Sequence, residues 1–187
     1  MREASAAVQG DEHLPRNVEI KARLRNIDEV RKRSEALSGG PPEILQQEDV
    51  FFPAQRGRLK LRRLGPDQGQ LIYYERPDVS GPKTCAYAIS QTREPQQLRE
   101  VLGAALGEAT VVKKVREVYI VGQTRIHLDD VEGLGAFMEL EVVLAEQQSE
   151  RSGEETALKL MAQLGIEKTD LVEGAYADLL REGAAQG

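Results

Sequence analysis

Three consecutive segments between residues 111 and 143 carry a charged side chain at almost every second position, and this alternation most constrains the fold. Side chains on a β-strand alternate between its two faces, so residues of the same parity lie on the same side. The pattern therefore predicts three strands, each with one charged face and one face that can pack. The charged faces carry Lys114 and Arg116, then Arg125, His127 and Asp129, and finally Glu139 and Glu141.

The same alternation recurs earlier in the chain. Glu19 and Lys21 alternate with apolar residues, and Arg58, Lys60 and Arg62 alternate with Leu59 and Leu61. Several strands with one ionic face each are compatible with a closed barrel that has a charged interior. They are also compatible with an open sheet whose charged face is wetted by solvent, and the pattern alone slightly favours this second arrangement.

Turn and cap signals divide the chain into eight strands and four helices. Proline and glycine clusters separate the segments, and Asn26 and Thr169 are candidate helix N-caps. Eight antiparallel strands can close into a barrel, which removes exposed edges. We therefore predict a flexible tail over residues 1–15 and one α+β domain over residues 16–183, with peripheral helices. The predicted strands before residue 111 are 16–24, 44–52, 58–64, 70–76 and 83–91, and the predicted helices run from Asn26 to Gly39 and over 94–106, 149–164 and 170–180.

Charge and cysteine content narrow the class of partner. The 187 residues carry a formal net charge of −6, so binding to nucleic acid through overall positive charge is not expected. The basic residues cluster on predicted strands, which suits a small polyanion. The single cysteine, Cys85, cannot form an internal disulfide, and no apolar run is long enough to span a membrane. The first residues do not resemble a targeting peptide. We therefore expect a cytoplasmic protein without a membrane partner.

A charged chamber of this composition suits phosphate chemistry. Clustered basic groups repel each other unless an anion or carboxylates lie among them, and the arginine fork matches phosphate oxygens. Carboxylates are the hard ligands that Mg²⁺ and Mn²⁺ prefer, so both groups in one cavity favour phosphoryl transfer. The alternative is that the charges neutralise each other as ion pairs, and the two interpretations are compatible. The basic candidates are Lys21, Arg62, Lys114, Arg116 and Arg125, and the acidic candidates are Glu19, Glu139 and Glu141.

Three further positions, His127, Tyr73 and Tyr74, have two interpretations each. No catalytic histidine pair is evident around His127, so a structural or phosphate-contacting role is favoured over a general base. Tyr73 and Tyr74 are adjacent, so one of them faces outward, and packing is favoured over stacking on a base ring. Asp129 belongs to the charged face and is placed in the chamber.

The order and spacing of these motifs resemble the CYTH family, also called triphosphate tunnel metalloenzymes. That family includes class-four adenylate cyclases, thiamine triphosphatases and inorganic tripolyphosphatases, and the cyclase-like branch looks most similar. The resemblance extends from residue 16 to residue 180 and implies a closed eight-stranded antiparallel barrel, a tunnel with an ionic interior. The matching motifs are an E-x-E-x-K signature at residues 17–21, a basic strand with Lys60 and Arg62, a K-x-R strand with Lys114 and Arg116, the run at residues 121–139, and a closing Y-x-x-L-L at residues 176–180.

The resemblance also implies roles for individual residues. It implies Mg²⁺ or Mn²⁺ as cofactor, a small-molecule triphosphate as partner, and either a triphosphatase or a class-four-type adenylate cyclase as the activity. An isologous homodimer is the commonest oligomeric option. The implied metal ligands are Glu19, Glu139 and Glu141; the implied phosphate-binding residues are Lys21, Lys60, Arg62, Lys114, Arg116 and Arg125; the implied catalytic residues are Lys21 and Asp129.

Two departures from the family pattern bear on activity. Asn17 stands where the signature has its first glutamate, and its neutral amide should bind a hard cation more weakly. Glu75 stands where cyclase-like members often carry a lysine, and we expect that Arg76 cannot replace it because the next residue faces the other way. These departures leave a second hypothesis, a triphosphate-binding module with weakened or lost catalysis.

Overall fold

The computed structural model describes residues 14–185, which form eight strands and four α-helices. The strands and helices alternate irregularly along the chain, with a short 3₁₀ helix at Lys168–Asp170. In chain order, the elements are β1 (Arg16–Arg23), α1 (Ile27–Ser38), β2 (Glu43–Phe52), β3 (Arg58–Arg63), β4 (Gly69–Glu75), β5 (Lys83–Thr92), α2 (Pro95–Leu106), β6 (Thr110–Val121), β7 (Thr124–Val131), β8 (Gly135–Val143), α3 (Glu150–Leu164) and α4 (Tyr176–Ala185).

The eight strands form a closed antiparallel barrel in the order β1-β5-β4-β3-β2-β6-β7-β8. β1 closes the barrel because it pairs with β8 on one side and with β5 on the other. The seam with β5 joins four residue pairs, from Arg16 opposite Ala86 to Glu19 opposite Lys83. The α+β class and the closed barrel are therefore confirmed, and the open wet sheet is excluded.

The apolar faces of the strands form the main core outside the barrel. Leu140 and Val142 of β8 and Ile126 and Leu128 of β7 are at most 1% exposed, and they pack with residues of α1 and α3. A second outer cluster joins α2 to Val50, Phe52 and Leu61. Since the outward parity of these strands is covered by helices, the charged parity faces the interior of the barrel, as the alternation predicts.

Local signals place the first three helices as predicted. The side chain of Asn26 accepts a hydrogen bond of 3.2 Å from the amide of Glu29, and Gly39 ends α1 in the left-handed conformation. α2 begins at Pro95, whose missing amide hydrogen is not needed in a first helical turn. α3 begins after Ser149, which caps the amide of Ser152. None of the helices of the described residues is long and apolar enough to cross a membrane.

The predicted helix over residues 170–180 is wrong at its start. Leu171 is instead paired with Ala22 of β1, and the amide of Val172 donates to the carbonyl of Lys21 at 3.0 Å. Gly174 has a φ of +74°, and α4 begins at Tyr176. Pairing with the end of a strand thus satisfies backbone groups that a helix would otherwise use. The segment of residues 171–175 consequently crosses one end of the barrel.

The division into a tail and a domain stays a prediction. Most of the predicted tail, residues 1–13, lies outside the described residues. Pro15, at the end of that predicted tail, already contacts the barrel, because its carbonyl accepts a hydrogen bond of 3.1 Å from the amide of Tyr87.

Candidate active site

The interior of the barrel holds a cavity of about 360 Å³ with an excess of positive charge. Seven basic and four acidic side chains line it, so the lining holds three more basic than acidic groups. Such an excess in a confined space favours a polyanionic ligand. The basic residues are Lys21, Lys60, Arg62, Arg76, Lys114, Arg116 and Arg125, and the acidic residues are Glu19, Asp49, Glu139 and Glu141.

The β6–β7 wall is organised by the buried carboxylate of Asp129. Arg116 donates two hydrogen bonds to it, each of 2.6 Å, and Lys114 Nζ lies 3.2 Å from the same group. The hydroxyl of Tyr176 donates to it at 2.9 Å. Asp129 is fully buried behind these partners and does not line the cavity, so it fixes the two cations rather than reaching a ligand.

Burial and neighbouring charges shift the pKa values on this wall in opposite directions. Burial and the nearby charge of Arg116 lower the pKa of Lys114 to about 7, although Asp129 opposes the shift. Burial alone would raise the pKa of Asp129, but Arg116 and Lys114 outweigh it and hold the pKa well below its usual range. Asp129 is therefore ionised, whereas Lys114 changes charge near neutral pH.

The β2–β3 wall repeats this arrangement around Asp49. Arg62 donates two hydrogen bonds of 2.8 Å to its carboxylate, and Lys60 donates a third of 2.8 Å. Burial favours the neutral form of Asp49, but Arg62 and Lys60 hold its pKa well below the usual value. Two Lys-x-Arg pairs on different walls are thus each anchored by one buried aspartate.

On the β1–β8 wall, three carboxylates lie close to basic partners. Lys21 Nζ lies 3.0 Å from Glu139, which also accepts a hydrogen bond from Arg116. Glu19 is directly opposite Glu141 in the strand register and accepts a hydrogen bond from Arg76. Burial, partly offset by Arg76, raises the pKa of Glu19. Facing carboxylates on neighbouring strands are unfavourable without a cation between or beside them.

The residues present fit a divalent metal ion. Ligand atoms of His127, Glu139 and Glu141 lie within 4.8 Å of one another. Asn17 also lines the cavity, and its buried side-chain oxygen has no hydrogen-bond partner in residues 14–185. Burial and the charge of Arg116 lower the pKa of His127 to about 4, so its imidazole is neutral at pH 7. Neutral imidazole, carboxylate and amide oxygens are all suitable metal ligands.

The β4–β5 wall differs from the others because much of its surface is apolar or aromatic. Ile72 and Tyr74 of β4 and Tyr87 and Ile89 of β5 line the cavity there. Ile89 is 48% exposed and, like the 45% exposed side chain of Arg125, lies towards the open mouth. The other end is covered by Ala175 and the buried Tyr176, whose ring lies 3.8 Å from Lys21 Nζ. The cavity therefore has one mouth with an apolar side.

The sequence from residue 15 to residue 176 matches the model of the CYTH domain. The chain belongs to the CYTH family. The matched range covers all eight strands of the barrel and ends at Tyr176, which closes the cavity.

Relatives of this CYTH protein include proteins of similar length. It is 25% identical to the protein MJ0240 of Methanocaldococcus jannaschii over 177 residues, 87% of this chain and 97% of that one. It is 24% identical to the adenylate cyclase CyaB of Aeromonas hydrophila over 176 residues, 88% of each chain. The structure of the PH1012 protein from Pyrococcus horikoshii OT3 has the same fold, with a TM-score of 0.77 at 23% identity, covering 87% of this chain and 98% of that one.

Most predicted site residues of this CYTH domain lie together in the cavity. The grouping of the predicted metal ligands differs from expectation, because Glu139 and Glu141 cluster with His127 whereas Glu19 faces Arg76. Asp129 lies behind the lining. The predicted residues that line the cavity are Glu19, Lys21, Lys60, Arg62, Lys114, Arg116, Arg125, Glu139 and Glu141.

The expectation that Glu75 replaces a cation inside the CYTH tunnel is wrong. The inward parity of β4 runs through Ile72 and Tyr74, so Arg76 continues it into the cavity while Glu75 faces outward. Glu75 lies 3.3 Å from Arg56 on the outside. Arg76 donates to Glu19 and, at 2.8 Å, to the carbonyl of Gly174. The cavity therefore has a cation, Arg76, at the end of its β4 wall.

Two residues of the site, Asp49 and Lys83, were not singled out from the sequence, and no place in the cavity was predicted for Arg76 or Tyr176. Asp49, Arg76 and Tyr176 line the cavity, and Lys83 lies beside it with only 2% exposure. Lys83 Nζ donates to the carbonyl of Val79 at 3.0 Å, and burial, with the charge of Arg76, lowers its pKa to about 8. Asp49 had a signal in the sequence, since it is the acidic residue directly before the apolar run Val-Phe-Phe of β2.

Proposed function

We propose that this CYTH protein is a Mg²⁺- or Mn²⁺-dependent enzyme that acts on the triphosphate group of a small organic molecule. The excess of three basic side chains in the cavity, next to a cluster of metal-binding side chains, carries this proposal. A triphosphate supplies the negative charge that the lining lacks. Cytoplasm, where nucleoside triphosphates are abundant and a single cysteine stays reduced, is the expected location.

The side chains have distinct parts in this proposal. Arg62 and Arg116, each held by a buried aspartate, present fixed guanidinium groups to phosphate oxygens, and Lys21 and Lys114 add compact charges. Arg125 binds the end of the phosphate chain nearest the mouth. Glu139 and Glu141, with Glu19 across the register, are the proposed metal ligands. A bound divalent cation supplies charge neutralisation at the reacting phosphate.

The apolar β4–β5 wall supports an organic triphosphate over inorganic tripolyphosphate. A phosphate chain alone gains nothing from Tyr87 or Ile89, whereas a planar ring stacks on such groups. The relative named adenylate cyclase CyaB makes cyclisation of ATP the first reaction to test. In that reaction the ribose 3′-oxygen attacks the α-phosphate and pyrophosphate leaves; in hydrolysis, water attacks instead.

A second candidate is a triphosphate-binding module with weakened catalysis. The observation that favours it is that Glu139 is already bonded to Lys21 and Arg116, which compete with a metal ion. The neutral Asn17 also adds no charge to hold the ion. A homodimer stays a prediction of the sequence.

A substrate panel tests the proposal. Purified protein is incubated with ATP or tripolyphosphate and Mn²⁺ or Mg²⁺, and cyclic nucleotide, pyrophosphate and free phosphate are separated. Glu139→Ala should lower the rate by about 100-fold, because one metal ligand and one partner of Arg116 are lost. Glu75→Ala, which removes an outward carboxylate, is the matched control. An unchanged rate in Glu139→Ala contradicts the site, and tight ATP binding without any product selects the binding module.

A further inference from the structure

The imidazole of His127 has a buried Nδ1 atom without a hydrogen-bond partner. His127 is 4% exposed, and Nδ1 has no hydrogen bond to any other residue of the described range. Its nearest acidic neighbour, Glu141 Oε1, is 3.7 Å away, which is too long for a hydrogen bond. Buried polar atoms are almost always paired, so an unpaired one beside Glu139 and Glu141, which line the cavity, indicates a missing partner.

The register of β7 and β8 places this nitrogen beside two carboxylates. His127 is directly opposite Glu139, and Arg125 is directly opposite Glu141, all on the inward face. The other oxygen of Glu141, Oε2, lies 3.3 Å from Arg125, so Oε1 is the atom that faces the imidazole. Arg125 thereby orients Glu141 towards His127.

The spacing of these atoms matches one metal ion. Ligand atoms about 2.1 Å from a metal lie roughly 3–4.2 Å from each other, and the 3.7 Å between His127 and Glu141 falls in that range. All three ligand atoms lie within 4.8 Å, so a small movement of Glu139 completes the group. Each Glu139 oxygen has a second lone pair available beside its ion pair.

We propose that His127 Nδ1 completes a mixed nitrogen–oxygen metal site with Glu139 and Glu141, so that the protein prefers Mn²⁺ to Mg²⁺. This inference rests on the proposed function, because it uses the same two carboxylates. Imidazole binds first-row transition metals well, whereas Mg²⁺ prefers oxygen and keeps its waters. The tautomer is defined by the site: the proton lies on Nε2, and Nδ1 presents its lone pair to the metal.

The test uses Mn²⁺ alone, without substrate. Pulsed electron paramagnetic resonance of the wild-type protein with Mn²⁺ should show coupling to a histidine nitrogen, and selective isotope labelling of histidine identifies it. The chain has two histidines, so His13→Gln is the matched control for His127→Gln. The coupling should remain in His13→Gln and disappear in His127→Gln. Calorimetry should show Mn²⁺ affinity falling by about tenfold or more in His127→Gln, with Mg²⁺ affinity changing by less than about threefold.

The outcomes separate this inference from the proposed function. Mn²⁺ bound without histidine coupling, no Mn²⁺ binding, or equal Mn²⁺ affinity in His127→Gln overturns the inference. Turnover of ATP by the wild-type protein in the same preparation then leaves the proposed function intact. Histidine coupling without any turnover of ATP supports the inference about His127 and contradicts the proposed function. Because a coupling that remains in His13→Gln can come only from His127, the test holds even where His127→Gln fails to fold.

Discussion

Replacing Asp129 by asparagine removes the charge that holds the β6–β7 wall together. The carboxylate is fully buried and receives two hydrogen bonds of 2.6 Å from Arg116, one of 3.2 Å from Lys114 and one of 2.9 Å from Tyr176. Asparagine keeps the volume but offers one acceptor oxygen and places an amide beside two cations. Removing one partner of a buried ion pair typically costs about 3–5 kcal/mol, because the remaining charge stays buried.

This loss of stability converts into a shift of the melting temperature that is easy to measure. For a chain of this size, 1 kcal/mol changes the melting temperature by about 2–4 °C, so Asp129→Asn should melt roughly 6–20 °C lower. Asp130→Asn is the matched control, since the neighbouring carboxylate is exposed on the outer face of the same strand. Asp130→Asn should change the free energy of unfolding by no more than about 0.5 kcal/mol.

Calorimetric melting of the wild-type protein and both variants provides the comparison. Urea unfolding at pH 7 checks the same difference as a free energy of unfolding. Equal melting temperatures for the two variants would refute the reasoning, because Arg116 and Lys114 would then be balanced by groups other than Asp129.

Two further predictions concern ligand binding and are read by calorimetry with tripolyphosphate. Arg76→Ala should weaken tripolyphosphate binding by about tenfold, because a charge-assisted contact is lost inside the cavity. Glu75→Ala, the control, should change the affinity by less than about threefold. Similar effects of the two variants would contradict the conclusion that Arg76 faces inward and Glu75 outward. Bound phosphate should raise the pKa of Lys114 from about 7, so binding takes up a proton and weakens from pH 7 to 9. Lys114→Met should lose part of this pH dependence, and an unchanged slope would count against it.

Strand parity was sufficient to predict which charges share one face, whereas the closed interior was implied only by the family resemblance. In β6, β7 and β8 at least two successive residues of one parity are ionisable, and apolar residues of the opposite parity pack against α1 and α3. The same period was misapplied at β4. We assumed that the position at which cyclase-like members carry a lysine faces inward, and this placed Glu75 in the cavity. Side chains at every second position from Ile72 and Tyr74 face inward, and these include Arg76 and not Glu75.

Other features depend on contacts between distant segments and leave no local pattern. Asp49 is one of three acids in a strand of mixed residues, and its role appears only when Arg62 lies opposite it and Lys60 donates to it. The helix predicted from residue 170 fails because Leu171 finds a backbone partner in Ala22, at the far end of the chain. Pairings over such separations are set by the closed barrel, and the periodicity of a short segment cannot show them.

β1 and β5 are joined over only four residue pairs, so this junction is weaker than the others in the barrel. Every other pair of adjacent strands is joined over at least five residue pairs. Local opening follows the path that breaks the fewest backbone hydrogen bonds. Local opening of the barrel therefore begins between β5 and β1, the strand that carries Asn17 and Glu19, and a ligand that contacts both Glu19 and the β4–β5 wall holds this junction shut.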